Sequence, residues 1–296
     1  MAGPPRGRLA MICRMVRPAV IFVLSTNYAG SHLLAQLLAA HPRAAGVGEL
    51  HNYGKFRGRG SRSGNVVDDY RDHPAFAALD QAPVSSWHRL IGERLAADQP
   101  GLTHLVDNSK RPDWARRCAV PGDGYVHLLR DPRALVSRWL ATYATAGAMA
   151  AQRRRVLRRR PWLALRRRGD AQVLVEKWLI ANQGIDRFLR RRAPSVRLTY
   201  LDLARSPAAT LEAAMPPLGL AFDSLQLDYG TAGGSLGTRK RDYLEASRDS
   251  RIELDLRWQQ SLSAADRAAV ERHPGVRRYL AGHGLVMTGD GLTARD

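Results

Sequence analysis

The stretch that decides the fold lies near the N-terminus and reads AVIFVLSTNYAGSHLLAQLL, residues 19–38. Its opening apolar run predicts a buried strand from Val20 to Leu24. Four leucines at helical spacing follow a short polar loop, which predicts a helix directly after it. A helix that begins behind a strand offers unpaired N–H groups and the positive end of its dipole to an anion. The loop is therefore the first candidate site, although its single glycine, Gly30, does not match the pattern of nucleoside triphosphatases.

Further apolar runs alternate with helical stretches along the chain. Strands are predicted at residues 103–106, 125–129 and 196–201, and helices are predicted to begin at Pro112, Pro132 and Pro207. This alternation predicts an α/β fold, a doubly wound parallel sheet with helices on both faces. Lys110 and Arg130 follow the ends of two strands, which is where open α/β sheets bind ligands.

In their order along the chain, these segments resemble the sulfotransferases that use 3′-phosphoadenosine-5′-phosphosulfate (PAPS). The similar segments are the first loop with its Leu-rich helix and His41-Pro42, Gly48-Glu49-Leu50, Asp107–Lys110, Leu129–Ala134, Trp178 with Asn182, Tyr200–Leu203, Gly237–Arg241 and Leu254–Trp258. The resemblance implies a P-loop-like sulfotransferase fold and transfer of a sulfuryl group from PAPS to an acceptor hydroxyl or amine. It implies no metal, and the sequence shows no carboxylate cluster that would hold one.

The resemblance assigns the donor to two groups of residues. The residues expected to hold the phosphosulfate are Asn27, Tyr28, Ala29, Gly30, Ser31 and His32. The 3′-phosphate is assigned to Arg130, with help from Arg138, Arg239 and Lys240, because guanidinium groups match phosphate oxygens in pairs. Two positions depart from the family pattern: Tyr28 replaces an arginine of the loop, and Arg138 stands where a phosphate-binding serine is usual. The missing loop cation leaves an inactive PAPS-binding protein as an alternative.

Sulfuryl transfer needs a base for the acceptor and a positive group for the leaving nucleotide. Glu49 resembles the catalytic glutamate of the tyrosylprotein and bacterial sulfotransferases, and His51 is the alternative base. Lys110 resembles a lysine that neutralises charge on the bridging oxygen, and His32 is expected to share that task. Trp178 is predicted to pack in the core, while Tyr200 and Asp202 are predicted to end a strand.

The chain carries a formal net charge of +19, and part of that charge is concentrated in an insertion. Three arginine triplets lie between Arg153 and Arg168, around Trp162 and several leucines. Three interpretations stay open: a solvated cationic face, a surface for anionic lipid headgroups, or a channel for an acidic glycan. A nucleic-acid-binding protein is the rival from another class, but no helix-turn-helix, RNA-recognition or zinc-finger pattern accompanies the basic residues.

Composition bounds the organisation and the compartment. Residues 1–18 are predicted to be a basic tail, neither signal peptide nor membrane span, residues 19–285 the sulfotransferase domain with an insertion at about 150–170, and residues 286–296 a C-terminal tail. Cys13 and Cys118 show no metal-ligand spacing and are expected to be reduced in a cytoplasmic protein, with peripheral contact to the inner membrane face as an option. The first expectation for the acceptor is a carbohydrate or a lipid-linked molecule.

Overall fold

A computed structural model describes residues 17–56, 66–165, 168–230, 235–240, 245 and 248–295, with the backbone alone at 66–67 and 238–240. The strands are β1 (Ala19–Ser25), β2 (Ala44–Gly46), β3 (Val66–Asp68), β4 (His104–Lys110), β5 (Gly124–Leu129), β6 (Ser195–Thr199), β7 (Thr238–Lys240), β8 (Leu285–Met287) and β9 (Leu292–Ala294). The helices are α1 (Ser31–Ala39), α2 (Tyr53–Phe56), α3 (Trp87–Asp98), α4 (Pro112–Cys118), α5 (Pro132–Thr142), α6 (Ala146–Arg159), α7 (Asp170–Leu189), α8 (Tyr200–Arg205), α9 (Pro207–Ala214), α10 (Trp258–Ser261), α11 (Ala264–Glu271) and α12 (Pro274–Ala281).

Five strands form one parallel sheet in the order β2-β4-β1-β5-β6. Alternate side chains of the central strand β1 enter different cores, since successive residues of a strand point to opposite faces. Phe22 packs with the side chains of α3 and α4, whereas Val23 packs with those of α1 and α9. Helices therefore cover both faces, and the predicted α/β architecture is confirmed.

A further apolar cluster joins α5, α7, α11 and α12 beside the sheet. Trp139 and Trp178 lie at its centre and are fully buried. The prediction that Trp178 packs in the core is confirmed. At the start of α5, the Asp131 side chain accepts a hydrogen bond from the Arg133 backbone N–H at 2.7 Å. Asp131 therefore caps this helix, and Pro132 is its first residue, as predicted.

Two predicted strand ends were wrong. The strand predicted at 103–106 continues to Lys110, because its polar residues are buried with partners: the Asp107 carboxylate accepts hydrogen bonds from His88 and Trp114 at 2.8 and 2.7 Å. Tyr200 begins α8 and does not end β6, since Thr199 caps a new helix by accepting a hydrogen bond from the backbone of Asp202.

The C-terminal residues form a packed hairpin. Strands β8 and β9 pair antiparallel, Leu292 is buried, and the carbonyl of Thr288 accepts a hydrogen bond from Arg133. The hairpin ends with Ala294, within the segment predicted as the C-terminal tail. Within the described ranges, no helix combines the length and the apolar character that a membrane crossing requires.

Candidate active site

The predicted site residues lie along one edge of the sheet. Strands β4, β1 and β5 are neighbours and run parallel. Lys110 ends β4, the loop 26–30 follows β1, and Arg130 follows β5. Strands β4 and β2 lie on one side of β1, and β5 and β6 lie on the other side. The gap between β1 and β5 is therefore the switch point of the sheet, where doubly wound folds bind ligands.

The loop between β1 and α1 needs an unusual backbone. Gly30 has φ of 93°, and a Cβ atom there would lie 2.7 Å from the ring of Tyr200, so only glycine fits. Tyr28 also takes a left-handed conformation, with φ of 70°. Among the described residues no side chain caps the N-terminus of α1, and its first turn contains no acidic residue. Its first N–H groups are therefore available to an anion.

Three residues that the sequence predicted to be catalytic are in contact, and we call them the Glu49 cluster: His32, Glu49 and Lys110. Lys110 Nζ forms an ion pair with Glu49 Oε1. His32 Nε2 lies 3.0 Å from the same oxygen and 3.4 Å from Lys110 Nζ. Asn52 Nδ2 donates a hydrogen bond to Glu49 Oε2 at 3.0 Å, so both carboxylate oxygens are held.

Backbone pairing brings these residues together. Val47 donates its N–H to the carbonyl of Val106, and Asn108 donates to the carbonyl of Gly48, both at 2.9 Å. The chain before Glu49 therefore runs along β4 and delivers the carboxylate to the end of that strand. Lys110 has φ of 65°, and its side chain is only 9% exposed.

The charge of Glu49 depends on its two neighbours, His32 and Lys110. Burial alone would raise the pKa of this carboxyl, but the hydrogen bond from His32 and the positive charge of Lys110 outweigh burial and lower the pKa to about 2. The group is thus a carboxylate at neutral pH. Glu49 becomes a stronger base only when its contacts with His32 and Lys110 are broken.

His51, the alternative base, is placed differently. Its backbone N–H donates to Ser109 Oγ at 3.1 Å, and its ring lies near Trp114, with 6.4 Å between ring centroids. Burial lowers the pKa of His51, so the imidazole is neutral at pH 7. No hydrogen bond from a described residue reaches its buried Nδ1.

A second group surrounds Arg130, and we call it the Arg130 cluster: Arg130, Tyr200 and Asp255. Arg130 donates from Nη1 to the carbonyl of Tyr28 at 2.8 Å and from Nη2 to Asp255 at 3.0 Å. Its guanidinium stacks on the ring of Tyr200, 4.2 Å from the centroid. Arg130 Nε is buried and has no hydrogen-bond partner in the described part of the chain.

Asp255 was not predicted as a site residue. Its pKa lies well below the usual range, first because Arg257 donates hydrogen bonds to it and then because of the charge of Arg130. The Tyr200 hydroxyl donates to the carbonyl of Glu253 at 3.1 Å and holds this segment in place. The charged pattern Leu254–Trp258 was visible in the sequence. The ion pair could not be predicted from it, because the pattern is far from Arg130 along the chain.

Arg138 lies against the side chain of the loop residue Tyr28. Its guanidinium carbon is 5.0 Å from the centroid of the Tyr28 ring. The neighbouring Ser137 hydroxyl pairs with Ser261 at 2.8 Å, so this serine is engaged in packing α5 against α10. Helix phase therefore turns Arg138, and not Ser137, towards the loop.

Sequence reasoning also missed Lys177 on α7. Its ammonium donates to the Tyr143 hydroxyl at 2.7 Å and to the Gln152 side chain at 3.2 Å. Burial, with the nearby charge of Arg155, lowers the pKa of Lys177 to about 8. Burial and the neighbouring Tyr28 raise the pKa of the Tyr143 phenol. The only available signal was a lysine beside the apolar positions of α7.

Two predicted residues cannot be placed. The side chains of Arg239 and Lys240 lie outside the described residues, although their backbone pairs with β3 in strand β7. In the part of the chain that is described, no group of three or more His, Cys, Asp or Glu side chains could hold a metal ion.

The chain belongs to the Sulfotransferase family, whose sequence profile matches residues 18–224. It is thus a transferase of sulfuryl groups. No curated protein sequence matches it. Among solved structures, the sulfotransferase domain from the curacin biosynthetic pathway is 19% identical over 85% of this chain and 96% of that chain, with a TM-score of 0.46.

Two other solved structures are similar. The sulfotransferase domain from the Synechococcus PCC 7002 olefin synthase is 18% identical over 86% of this chain and 94% of that chain, with a TM-score of 0.47. Mouse sulfotransferase SULT7A1 complexed with PAP is 11% identical over 90% of both chains, with a TM-score of 0.44.

Proposed function

We propose that this member of the Sulfotransferase family moves the sulfuryl group of PAPS to an acceptor hydroxyl or amine, with Glu49 as the base. The observation that carries the proposal is the contact of one half-buried carboxylate with both His32 and Lys110 beside the N-terminus of α1, which no described side chain caps. A base, an ammonium group and an imidazole thus meet where an anionic donor would bind.

The residues fit a donor that carries phosphates at two places. The 5′-phosphosulfate would lie on the N–H groups of Ser31 and His32, where the dipole of α1 favours negative charge. The 3′-phosphate would lie at Arg130, whose buried Nε lacks a partner among the described residues. Bound PAPS supplies an activated sulfuryl group with the nucleotide as leaving group.

Glu49 takes the acceptor proton in this proposal. As the acceptor oxygen or nitrogen bonds to sulfur, the bridging S–O bond breaks and the proton moves to the carboxylate. Lys110 and His32 leave Glu49 to approach the bridging oxygen. Since these two partners keep the pKa of Glu49 low, their departure raises it and strengthens the base when it is needed.

Lys110 and His32 also supply positive charge to the departing nucleotide. The loop lacks an arginine at Tyr28, and Arg138 compensates in part because its guanidinium stacks on that tyrosine. No step requires a metal, since the sulfuryl group carries less negative charge than a phosphoryl group. The acceptor class that we propose is a carbohydrate or lipid-linked molecule in the cytoplasm. If the acceptor is anionic, the net positive charge of the chain would favour its binding.

The test combines binding with turnover. Calorimetry should show binding of 3′-phosphoadenosine-5′-phosphate (PAP), and labelled PAPS should lose its sulfate to an added acceptor or, more slowly, to water. Binding without any loss of label would support an inactive PAPS-binding protein instead. Absence of PAP binding by the folded protein would refute the donor assignment.

A further inference from the structure

Helix α6 has one buried face and one strongly basic face. Met149, Gln152 and Val156 are buried, and the two apolar ones join the cluster around α7. Gln152 accepts a hydrogen bond from Lys177 of α7 at 3.2 Å. Arg153 pairs with Asp170 at 2.9 Å near the middle of the helix. The helix is therefore fixed in orientation, and its outer face is determined by packing.

Four arginines occupy that outer face without acidic partners in the described structure. They form two pairs, and the members of each pair are four residues apart, which is about one helical turn. The four side chains therefore form a single stripe. We call them the basic stripe: Arg154, Arg155, Arg158 and Arg159, all exposed. The nearby acids Asp170 and Glu176 are already paired, with Arg153 and Arg160. The stripe thus presents uncompensated positive charge.

Two large apolar side chains project just beyond the basic stripe. Trp162 is 60% exposed and Leu165 is 85% exposed, on the turn of residues 161–165. Leu163 between them is buried and anchors the turn. We call Trp162 and Leu165 the apolar tip. An exposed tryptophan and leucine beside arginines have the composition of a membrane-interface segment, in which apolar groups enter the acyl boundary and arginines meet headgroups.

We propose that the basic stripe and the apolar tip together dock the protein on the surface of an anionic lipid bilayer. Charge complementarity selects anionic lipid, since each basic residue near such a surface strengthens binding. The apolar tip distinguishes a bilayer from other polyanions. A soluble acidic glycan or a nucleic acid backbone would neutralise the arginines but would leave Leu165 in water. Docking of this kind is independent of sulfuryl transfer.

The experiment measures sedimentation of the full chain with vesicles of phosphatidylcholine alone or of equal parts phosphatidylcholine and phosphatidylglycerol. The wild type should bind the anionic vesicles, and added salt should weaken binding. Arg154→Gln, Arg158→Gln and Arg159→Gln combined should weaken it about a hundredfold, at roughly fivefold for each charge. Trp162→Ser with Leu165→Ser should weaken it at least about tenfold.

The matched control removes three exposed arginines on other elements, Arg71, Arg94 and Arg117, by the same change to glutamine. This control has the same net charge as the stripe variant and should keep most of the vesicle binding. Calorimetry with PAP on every variant separates loss of docking from loss of folding. Acyl chains carrying bromine should quench wild-type fluorescence and should lose that effect when Trp162 is replaced.

Three results would overturn docking on lipid. The first is equal vesicle binding by the stripe variant and its control. The second is vesicle binding that does not change when the apolar tip is replaced. The third is absence of vesicle binding while heparin or mixed DNA still binds in a way that depends on the stripe alone, which would assign the surface to an acidic glycan or to nucleic acid.

Discussion

The Glu49 cluster and the Arg130 cluster lie at the same edge of the sheet but are assembled differently. The Glu49 cluster comes from β4, from the segment that pairs along it and from the first turn of α1, and it joins one carboxylate to a lysine and a histidine. The Arg130 cluster is completed by Asp255, which lies 125 residues further along the chain. Each cluster already pairs a cation with a carboxylate of the protein, but the first also lies beside N–H groups at the start of α1 that no described side chain caps.

This difference indicates how the two clusters would respond to a nucleotide. Near α1, an incoming phosphosulfate would meet the helix N–H groups first, and Lys110 and His32 would exchange Glu49 for its bridging oxygen afterwards. At Arg130 the 3′-phosphate would have to compete with Asp255, because both are anions and both would use the same guanidinium. Four substitutions test the contrast between a site of chemistry and a site of binding.

The largest effect is expected at Glu49. Glu49→Gln should lower kcat about a thousandfold, because the amide cannot accept the acceptor proton. PAP affinity measured by calorimetry should change little, since the carboxylate is not assigned to the nucleotide. A kcat within tenfold of the wild type would transfer the role of base to another residue, and His51→Gln is the comparison to make.

Replacement of Lys110 should have the next largest effect. Lys110→Met should lower kcat about a hundredfold, because charge on the bridging oxygen loses a neutralising partner. The variant should also alter the pH profile of kcat/KM, which reports the free enzyme. In the wild type Glu49 has a pKa of about 2, so its protonation should not reduce kcat/KM above about pH 4.

Without the charge of Lys110, the pKa of Glu49 rises, and the acidic limb of the kcat/KM profile should move to higher pH. The measurement is the initial rate with labelled PAPS from acidic to neutral pH. An unchanged profile in the variant would separate Glu49 from the rate-limiting proton transfer. Because His32 is unchanged in the variant, the shift of the profile reports the loss of the Lys110 charge alone.

Arg130→Ala should act on binding more than on chemistry. The dissociation constant of PAP should rise about tenfold to a hundredfold, since a charge-assisted phosphate contact is lost. Adenosine 5′-phosphate lacks the 3′-phosphate and should bind the variant and the wild type alike. Trp178 holds the Arg130 main chain, at 3.0 Å from its carbonyl, so the local backbone should survive the change. Equal weakening of both nucleotides would place the 3′-phosphate elsewhere.

The smallest effect is expected at Asp255 and has the opposite sign. Asp255→Asn should tighten PAP binding about fivefold, because a competing carboxylate is removed while the side chain keeps its size. Arg257→Gln is the matched control, since it removes another partner of Asp255 and leaves the competing carboxylate in place. Weaker binding by Asp255→Asn would mean that Asp255 orients Arg130 and does not compete for it.

Local patterns predicted much of this architecture. The apolar run of β1, the leucines of α1 and the prolines that begin α4, α5 and α9 depend on neighbouring residues, and all appear as predicted. Lys110 and Arg130 were placed at strand ends because parallel strands bring their carboxyl ends to one edge. The resemblance to the sulfotransferases, and not a local pattern, pointed to Glu49 and Lys110 as catalytic residues.

Other features depend on distant partners and could not be predicted. The polar end of β4 resembles a loop until His88 and Trp114 are known to satisfy Asp107. Asp255 gains its place from Tyr200 and Arg257, and Lys177 gains its environment from Tyr143 and α6. Sequence periodicity does not predict such contacts, because they join segments whose relative position is set by the complete fold.

Tyr200 has a consequence for nucleotide selection. Its ring lies against Gly30 on one side and under the Arg130 guanidinium on another, so packing fixes the spacing between the loop and Arg130 before any ligand arrives. ATP carries all of its phosphates at the 5′ end and would fill only one of the two anion sites at that spacing. On the proposed assignment ATP would therefore bind without a phosphate contact at Arg130, and a rigid aromatic ring would favour a 3′-phosphorylated nucleotide simply by fixing a distance.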